Sequence, residues 1–140
     1  MGVTLPKGYR PTENEEFMNE FQKEYFKNKL IRWRDQLQAE ADGTLRHLTQ
    51  ENLQQPDMAD RAALETDHSI ELRTRDRERK LIAKINAALE RLADGSYGYC
   101  EETHKPISIA RLKARPIATL SLEAQEMHEK FEKIYKEKEY

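Results

Sequence analysis

Gln55-Pro56-Asp57-Met58-Ala59-Asp60-Arg61-Ala62 lies near the middle of the chain and interrupts two long helical patterns. Pro56 disfavours helix at Gln55. The carboxylates of Asp57 and Asp60 suit the first turn of a helix resuming behind them, where they can accept backbone N–H bonds and complement the dipole. The link is short, so the flanking helices must turn back on each other as an antiparallel hairpin with an acidic tip.

Upstream, Phe17, Phe21, Tyr25 and Phe26 are followed by Leu30, Trp33, Leu37, Ala41, Leu45 and Leu48. The helical pattern begins at about Glu15, and from Phe26 to Leu37 steps of four and three put one apolar stripe on one face. Gly43 weakens that helix by roughly 1 kcal/mol relative to Ala without ending it, and the pattern stops near Leu53. Downstream, Ile70, Leu72, Leu81, Ile85, Ala88 and Leu92 continue the seam, with Arg77 as a polar interruption, until Gly95 and Gly98 supply a stop. Each helix of roughly 35 residues would span about 50 Å.

Two helices cannot bury their own flanks. Phe17, Phe21, Tyr25 and Trp33 open the first helix, while Tyr97, Tyr99, Ile107, Ile109 and Leu112 follow the second, so antiparallel pairing predicts a small head built from both ends. Ser121 is an N-cap candidate for a last helix in which Met127, Phe131 and Ile134 form a stripe. The expected organisation is all-α: residues 1–18 an irregular arm and the start of the head, with little to bury; 19–94 the coiled-coil hairpin, its tip near 54–62; 95–120 a loop of the head; 121–140 the C-terminal helix.

Composition narrows the function. Of 140 residues, 36% are charged and 37% hydrophobic, enough for one small core but not for a large enzyme interior. The net charge of −2, with both signs interleaved, gives no sustained basic face, so direct DNA binding is not expected. No apolar run is long enough for a membrane span or signal core. The single cysteine forms no intrachain disulfide, in keeping with a reducing cytoplasm.

Tyr99-Cys100-Glu101-Glu102-Thr103-His104 resembles half a zinc knuckle, but structural zinc needs four ligands and Cys100 with His104 makes two. A glycine-rich phosphate loop, a nucleophile elbow and a paired-His helix motif are all missing. Asp57 and Asp60 on an exposed tip would lack a water-excluding pocket, so no catalysis is expected. They either cap the second helix and nothing more, or form an acidic point for a basic or metal-bearing partner site, with the small Ala59 and Ala62 permitting close approach. The stretch Glu71, Arg73, Arg75, Asp76, Arg77, Glu78, Arg79, Lys80 reads either as a solvated flank of i,i+4 pairs or as a strip for phosphates or an acidic surface.

The run Ser69-Ile70-Glu71-Leu72-Arg73-Thr74-Arg75-Asp76-Arg77-Glu78-Arg79-Lys80-Leu81-Ile82 precedes Gly98-Tyr99-Cys100-Glu101 and Arg111-Leu112-Lys113-Ala114-Arg115-Pro116. With Phe17-Met18-Asn19-Glu20 and Trp33-Arg34-Asp35-Gln36-Leu37, these motifs resemble the DksA family of bacterial RNA polymerase regulators, from about Phe17 to Ser121. The resemblance implies a hairpin that enters the secondary channel of RNA polymerase. The tip signature Asp-x-x-Asp-x-Ala is met by Asp57, Asp60 and Ala62, near the polymerase catalytic centre. Arg73 and Arg77 match coiled-coil docking positions. Leu81, Lys84 and Arg115 match positions around the stringent-response alarmone guanosine tetraphosphate (ppGpp), and a further family lysine is replaced here by Gln125. The implied outcome is destabilised promoter complexes, with inhibition of ribosomal RNA promoters, by a monomer that is not an enzyme. The alternatives are a transcript-cleavage helper in the same channel and a generic coiled-coil adaptor.

The family's C-x-x-C…C-x-x-C positions read Cys100, Thr103, Ser121 and Ala124 in this chain. Three thiolates are missing, so no zinc is expected. The pattern resembles the low-cysteine branch of the family, whose heads should resist peroxide and zinc starvation.

Overall fold

The computed structural model describes the backbone of residues 3–51 and 58–138 and the side chains of residues 3–43 and 62–136. It holds four helices: α1 (Glu20–Glu51), α2 (Met58–Asp94), α3 (Ile109–Ala114) and α4 (Leu122–Lys138). Among the described residues there is no strand; an isolated antiparallel bridge joins Tyr99 to Pro106. The chain divides into two compact units, Ile31–Ala87 and a second made of Met1–Leu30 with Ala88–Tyr140.

The first unit is the helical hairpin. Arg34 Nη1 on α1 donates to Asn86 Oδ1 on α2 at 3.1 Å, early residue to late residue, as antiparallel pairing requires. Among its described residues, Leu37 and Ile85 are the buried apolar side chains. Further out along α2 the seam differs from the expected one. Ile70, Leu72 and Arg77 are exposed, and the half-buried positions are Leu64, His68, Glu71, Arg75 and Glu78, at steps of four and three. That is a heptad spacing with mostly polar occupants. Oε2 of Glu78 is buried there without a hydrogen-bond partner among the described residues, a cost that an apolar residue would not carry.

The second unit is the head. Phe26, Leu30, Ala88, Tyr97, Ile107, Ile109 and Leu112 form its core. The expected aromatic cluster is present in part: Phe26 meets Tyr97 at 5.7 Å between ring centroids and Phe17 meets Tyr99 edge-on at 5.3 Å. Trp33, expected in this group, belongs to the hairpin unit.

The N-terminal arm departs from expectation. Pro11 is fully buried. Tyr9 packs against Phe21 and Tyr25, with centroids 5.9 and 6.3 Å away. The arm also fixes where α1 begins. Asn19 is the N-cap: its Oδ1 accepts the backbone N–H of Gln22 at 2.8 Å, and Gln22 Oε1 accepts the N–H of Met18 at 2.7 Å. This is a variant of the reciprocal capping box. Gln22 has no exposed surface, and its amide is satisfied by donating to Thr12 O at 3.2 Å. Helix therefore starts at Glu20 rather than near Glu15.

Candidate functional site

α2 ends because Gly95, at φ +88°, lets the chain fold over the last turn, where the N–H groups of Gly95, Ser96 and Tyr97 all donate to the Arg91 carbonyl at 2.9–3.2 Å. The segment after it is a hairpin-like knuckle. Cys100 N–H donates to Lys105 O at 2.9 Å, His104 N–H to Cys100 O at 2.9 Å, and Ile107 N–H to Gly98 O at 2.7 Å. His104 takes a left-handed conformation, φ +60°, at the bend. Beneath it the Tyr97 hydroxyl donates to Pro116 O at 2.7 Å, and burial pushes that hydroxyl's pKa far above its ordinary value.

Three of the four positions, Cys100, Thr103 and Ser121, meet at the Cys100 sulfur. The Cys100 sulfur receives the backbone N–H groups of Ser121, Thr103 and Glu102 and the Thr103 hydroxyl. Ser121 Oγ accepts the N–H of Ala124 at 3.2 Å, capping α4, and Ala124 is buried. Burial pushes the thiol's pKa up, but the N–H donors outweigh it and hold it down at about 6. A thiolate is thus stabilised by amide dipoles where a metal would otherwise hold it. The donor set does not fit zinc. It offers one thiolate, two neutral hydroxyls and a methyl, whereas zinc takes four sulfur, nitrogen or carboxylate ligands. Among the described residues, no group of three or more His, Cys, Asp or Glu could hold a metal ion.

On the hairpin unit, Ala62, Glu65, Thr66, Ser69, Ile70 and Arg73 line a shallow groove of about 550 Å³ on the outer face of α2. The groove runs from Ala62 to Arg73. Arg77 is exposed one turn further on. Ile70, 55% exposed, is a surface residue that sequence reasoning assigned to the seam. The signal for its exposure was the heptad through Leu64, His68, Glu71, Arg75 and Glu78. Asp57 lies outside the described residues; Asp60 stands in the first turn of α2, its side chain outside them.

Leu81, half-buried, and Lys84, exposed, lie on α2 within the hairpin unit. In the head unit, Arg115 is exposed and forms the C-cap of α3, its N–H donating to Arg111 O at 2.7 Å. Gln125, on α4, donates weakly to Glu129 at 3.4 Å. A second cleft, of about 360 Å³, lies between the knuckle and α4. Glu102, Thr103, Met127 and Phe131 are among its walls, and His128 Nε2 is hydrogen-bonded to Glu102 across it.

A helical hairpin with a knuckle-type head defines a class, and comparison with known proteins identifies it. Residues 22–92 match the family model of the DnaK suppressor protein DksA, N-terminal domain, and residues 95–130 match the prokaryotic dksA/traR C4-type zinc finger. The chain is 57% identical over 129 residues to the RNA polymerase-binding transcription factor DksA of Caulobacter vibrioides, covering 92% of this chain and 91% of the relative. It is 46% identical to the protein of the same name in Escherichia coli K12, covering 89% and 83%. The solved structure of transcription factor DksA2 from Pseudomonas aeruginosa superposes with a TM-score of 0.80 at 43% identity, covering 86% of this chain and 94% of that one. The chain belongs to the DksA family. Its zinc-finger segment keeps the family's fold with a single thiol among the four ligand positions.

Proposed function

We propose that this protein is a cytoplasmic, zinc-independent transcription regulator that binds bacterial RNA polymerase by inserting its hairpin into the secondary channel. The observation that carries the reading is the 57% identity, over nearly the whole chain, to a relative named as an RNA polymerase-binding transcription factor. The groove from Ala62 to Arg73 supports it, because it presents an exposed apolar residue and a guanidinium on one outward face. In this reading Asp57, Asp60 and Ala62 approach the catalytic centre of the polymerase and Arg73 with Arg77 dock the hairpin. Leu81, Lys84 and Arg115 contribute to a ppGpp site at the polymerase interface. A neutral Gln125 in place of lysine weakens the alarmone response there.

The factor is not an enzyme and does not contact DNA. Among the described residues no helix is long and apolar enough to cross a membrane. It acts by binding polymerase states unequally, since equal affinity for all states would shift nothing. Promoter complexes that are short-lived, such as those on ribosomal RNA promoters, are destabilised most. Multi-round transcription from a ribosomal promoter, with and without ppGpp, tests this. The wild-type chain should inhibit, more strongly with ppGpp. Asp60→Asn should bind polymerase within a few fold of wild type yet lose inhibition. Full inhibition by that variant would remove the proposed role of the tip.

A further inference from the structure

Three sulfur atoms lie on described side chains of the head, and solvent reaches them very unequally. Cys100 is 1% exposed, Met18 7% and Met127 55%. The Met18 methyl packs on Gly98, where an added Cβ would stand 3.1 Å from it. The Cys100 sulfur is enclosed by the N–H groups of Ser121, Thr103 and Glu102 and by the Thr103 hydroxyl, so its lone pairs already face donors. Met127 stands instead on the wall of the cleft between the knuckle and α4, which Phe131, one turn on, also lines. That cleft opens to solvent and measures about 360 Å³, ample room for a small oxidant.

A thiolate is intrinsically a faster nucleophile than a thioether, so burial has to decide which sulfur reacts. The consequences differ as well. Cysteine oxidation becomes irreversible beyond the sulfenic step, whereas methionine sulfoxide is returned to the thioether by dedicated reductases.

We propose that Met127 is a reversible oxidation site, at which a peroxide converts the thioether to the sulfoxide while Cys100 and Met18 stay reduced. A sulfur lone pair attacks one peroxide oxygen, and the S–O bond forms as the O–O bond breaks. The proton on the transferred oxygen passes through solvent to the departing hydroxide, which leaves as water. Sulfur loses two electrons and the peroxide gains them. In the reverse direction a methionine sulfoxide reductase removes the oxygen as water while a thiol reductant becomes a disulfide. Met127, Phe131 and Ile134 follow one another at steps of four and three along α4, each about half exposed. The sulfoxide sets a polar, chiral group at the head of this stripe and leaves the buried core of the head untouched. The surface of α4 thus changes polarity while the fold persists.

Peptide mapping by mass spectrometry of the full chain in hydrogen peroxide tests this, with the urea-unfolded chain setting the unprotected rate of each sulfur. Met1 and Met58, whose side chains lie outside the described residues, fall in other peptides. The Met127 peptide should gain one oxygen at about its unfolded rate, while Cys100 and Met18 should be slowed about a hundredfold or more, because they react only after local opening. The chain oxidised at Met127 should keep the wild-type helical circular dichroism and melting temperature, and methionine sulfoxide reductase with dithiothreitol should remove the oxygen. Met127→Leu should leave that peptide unmodified at an unchanged melting temperature. Oxidation of Cys100 ahead of Met127, or protection of Met127 as strong as that of Met18, overturns the proposal. A melting temperature lowered by the Met127 sulfoxide also overturns it, since the site would then be one of damage.

Discussion

A Cβ placed on Gly98 would stand 2.9 Å from Cζ of Phe17 and 3.1 Å from Cε of Met18. Gly98 also holds φ at +89°, a conformation that L side chains rarely adopt. The N-terminal arm and the knuckle meet at this residue, and an added Cβ would require the ends of the Phe17 and Met18 side chains to shift. Gly98→Ala should therefore destabilise the fold by about 1–2 kcal/mol, mainly through backbone strain at the positive φ. Urea denaturation followed by circular dichroism would measure it, and an unchanged midpoint would contradict the close approach.

Tyr97 is the buried centre of the head, and its hydroxyl has a single partner, the Pro116 carbonyl. Tyr97→Phe leaves that carbonyl without its donor and should cost about 1–2 kcal/mol. The hydroxyl also makes the fold sensitive to alkali. Burial raises the folded pKa above the 10.0 of a free tyrosine. For Tyr9, burial together with the neighbouring Glu15 raises it to about 12. In both cases the unfolded chain loses its proton first, so stability is fully present below pH 10.0 and falls as pH climbs beyond it. Thermal melts across that range should show a steeper alkaline decline for wild type than for Tyr97→Phe.

Cys100 titrates in the opposite sense. Its folded pKa, about 6, lies below the unfolded 9.0. Between these values the unfolded chain holds a proton that the folded chain lacks, so stability rises with pH through the window and is lost again as pH falls through about 6. Cys100→Ala should erase this rise, because the N–H groups of Ser121, Thr103 and Glu102 lose their acceptor. Since the donor set around Cys100 does not fit zinc, a chelator should leave the wild-type melting temperature unchanged. A drop in melting temperature on chelation would point to a bound ion.

Arg73 and Ile70 share the groove that leads to Ala62. Both are exposed, so neither Arg73→Ala nor Ile70→Glu should alter the melting temperature. Each should weaken polymerase binding about tenfold, equivalent to about 1.4 kcal/mol. Fluorescence anisotropy with labelled protein would report it. Wild-type affinity in both variants would move the docking surface elsewhere on the chain.

The hairpin and its antiparallel pairing were legible because Pro56 splits two long periodic runs and the link leaves no other topology. The knuckle core was legible too: Ile107, Ile109 and Leu112 are the apolar residues of a short loop, and all three are buried. The register of α2 was not. Ile70 and Leu72 attract a reading as seam residues, but a fixed heptad from Ile85 and Ile82 back to Leu64 leaves them outside and places Glu71, Arg75 and Glu78 inside. Local hydrophobicity competes there with geometric continuity, and continuity prevails. The arm was illegible for another reason. Its order comes from Gln22 and Glu15 reaching back to Met18, Thr12 and Tyr9, and polar side-chain bonds of that kind leave no periodic trace. The Asn19-x-x-Gln22 spacing was the available clue. The convergence on Cys100 was hidden because it depends on backbone N–H groups, which every residue but proline carries.

The polar occupants of the α2 seam have a mechanical consequence. Where Leu37 and Ile85 meet the interior, dry packing resists separation. Where His68, Glu71, Arg75 and Glu78 take the inner positions, water can substitute for their contacts at little loss. Opening there is a cheap local fluctuation rather than a global one. Amide hydrogen exchange should accordingly run faster along residues 64–78 than along 81–92. Within the hairpin, separation of the two helices is resisted near Ile85 and yields more easily toward Leu64.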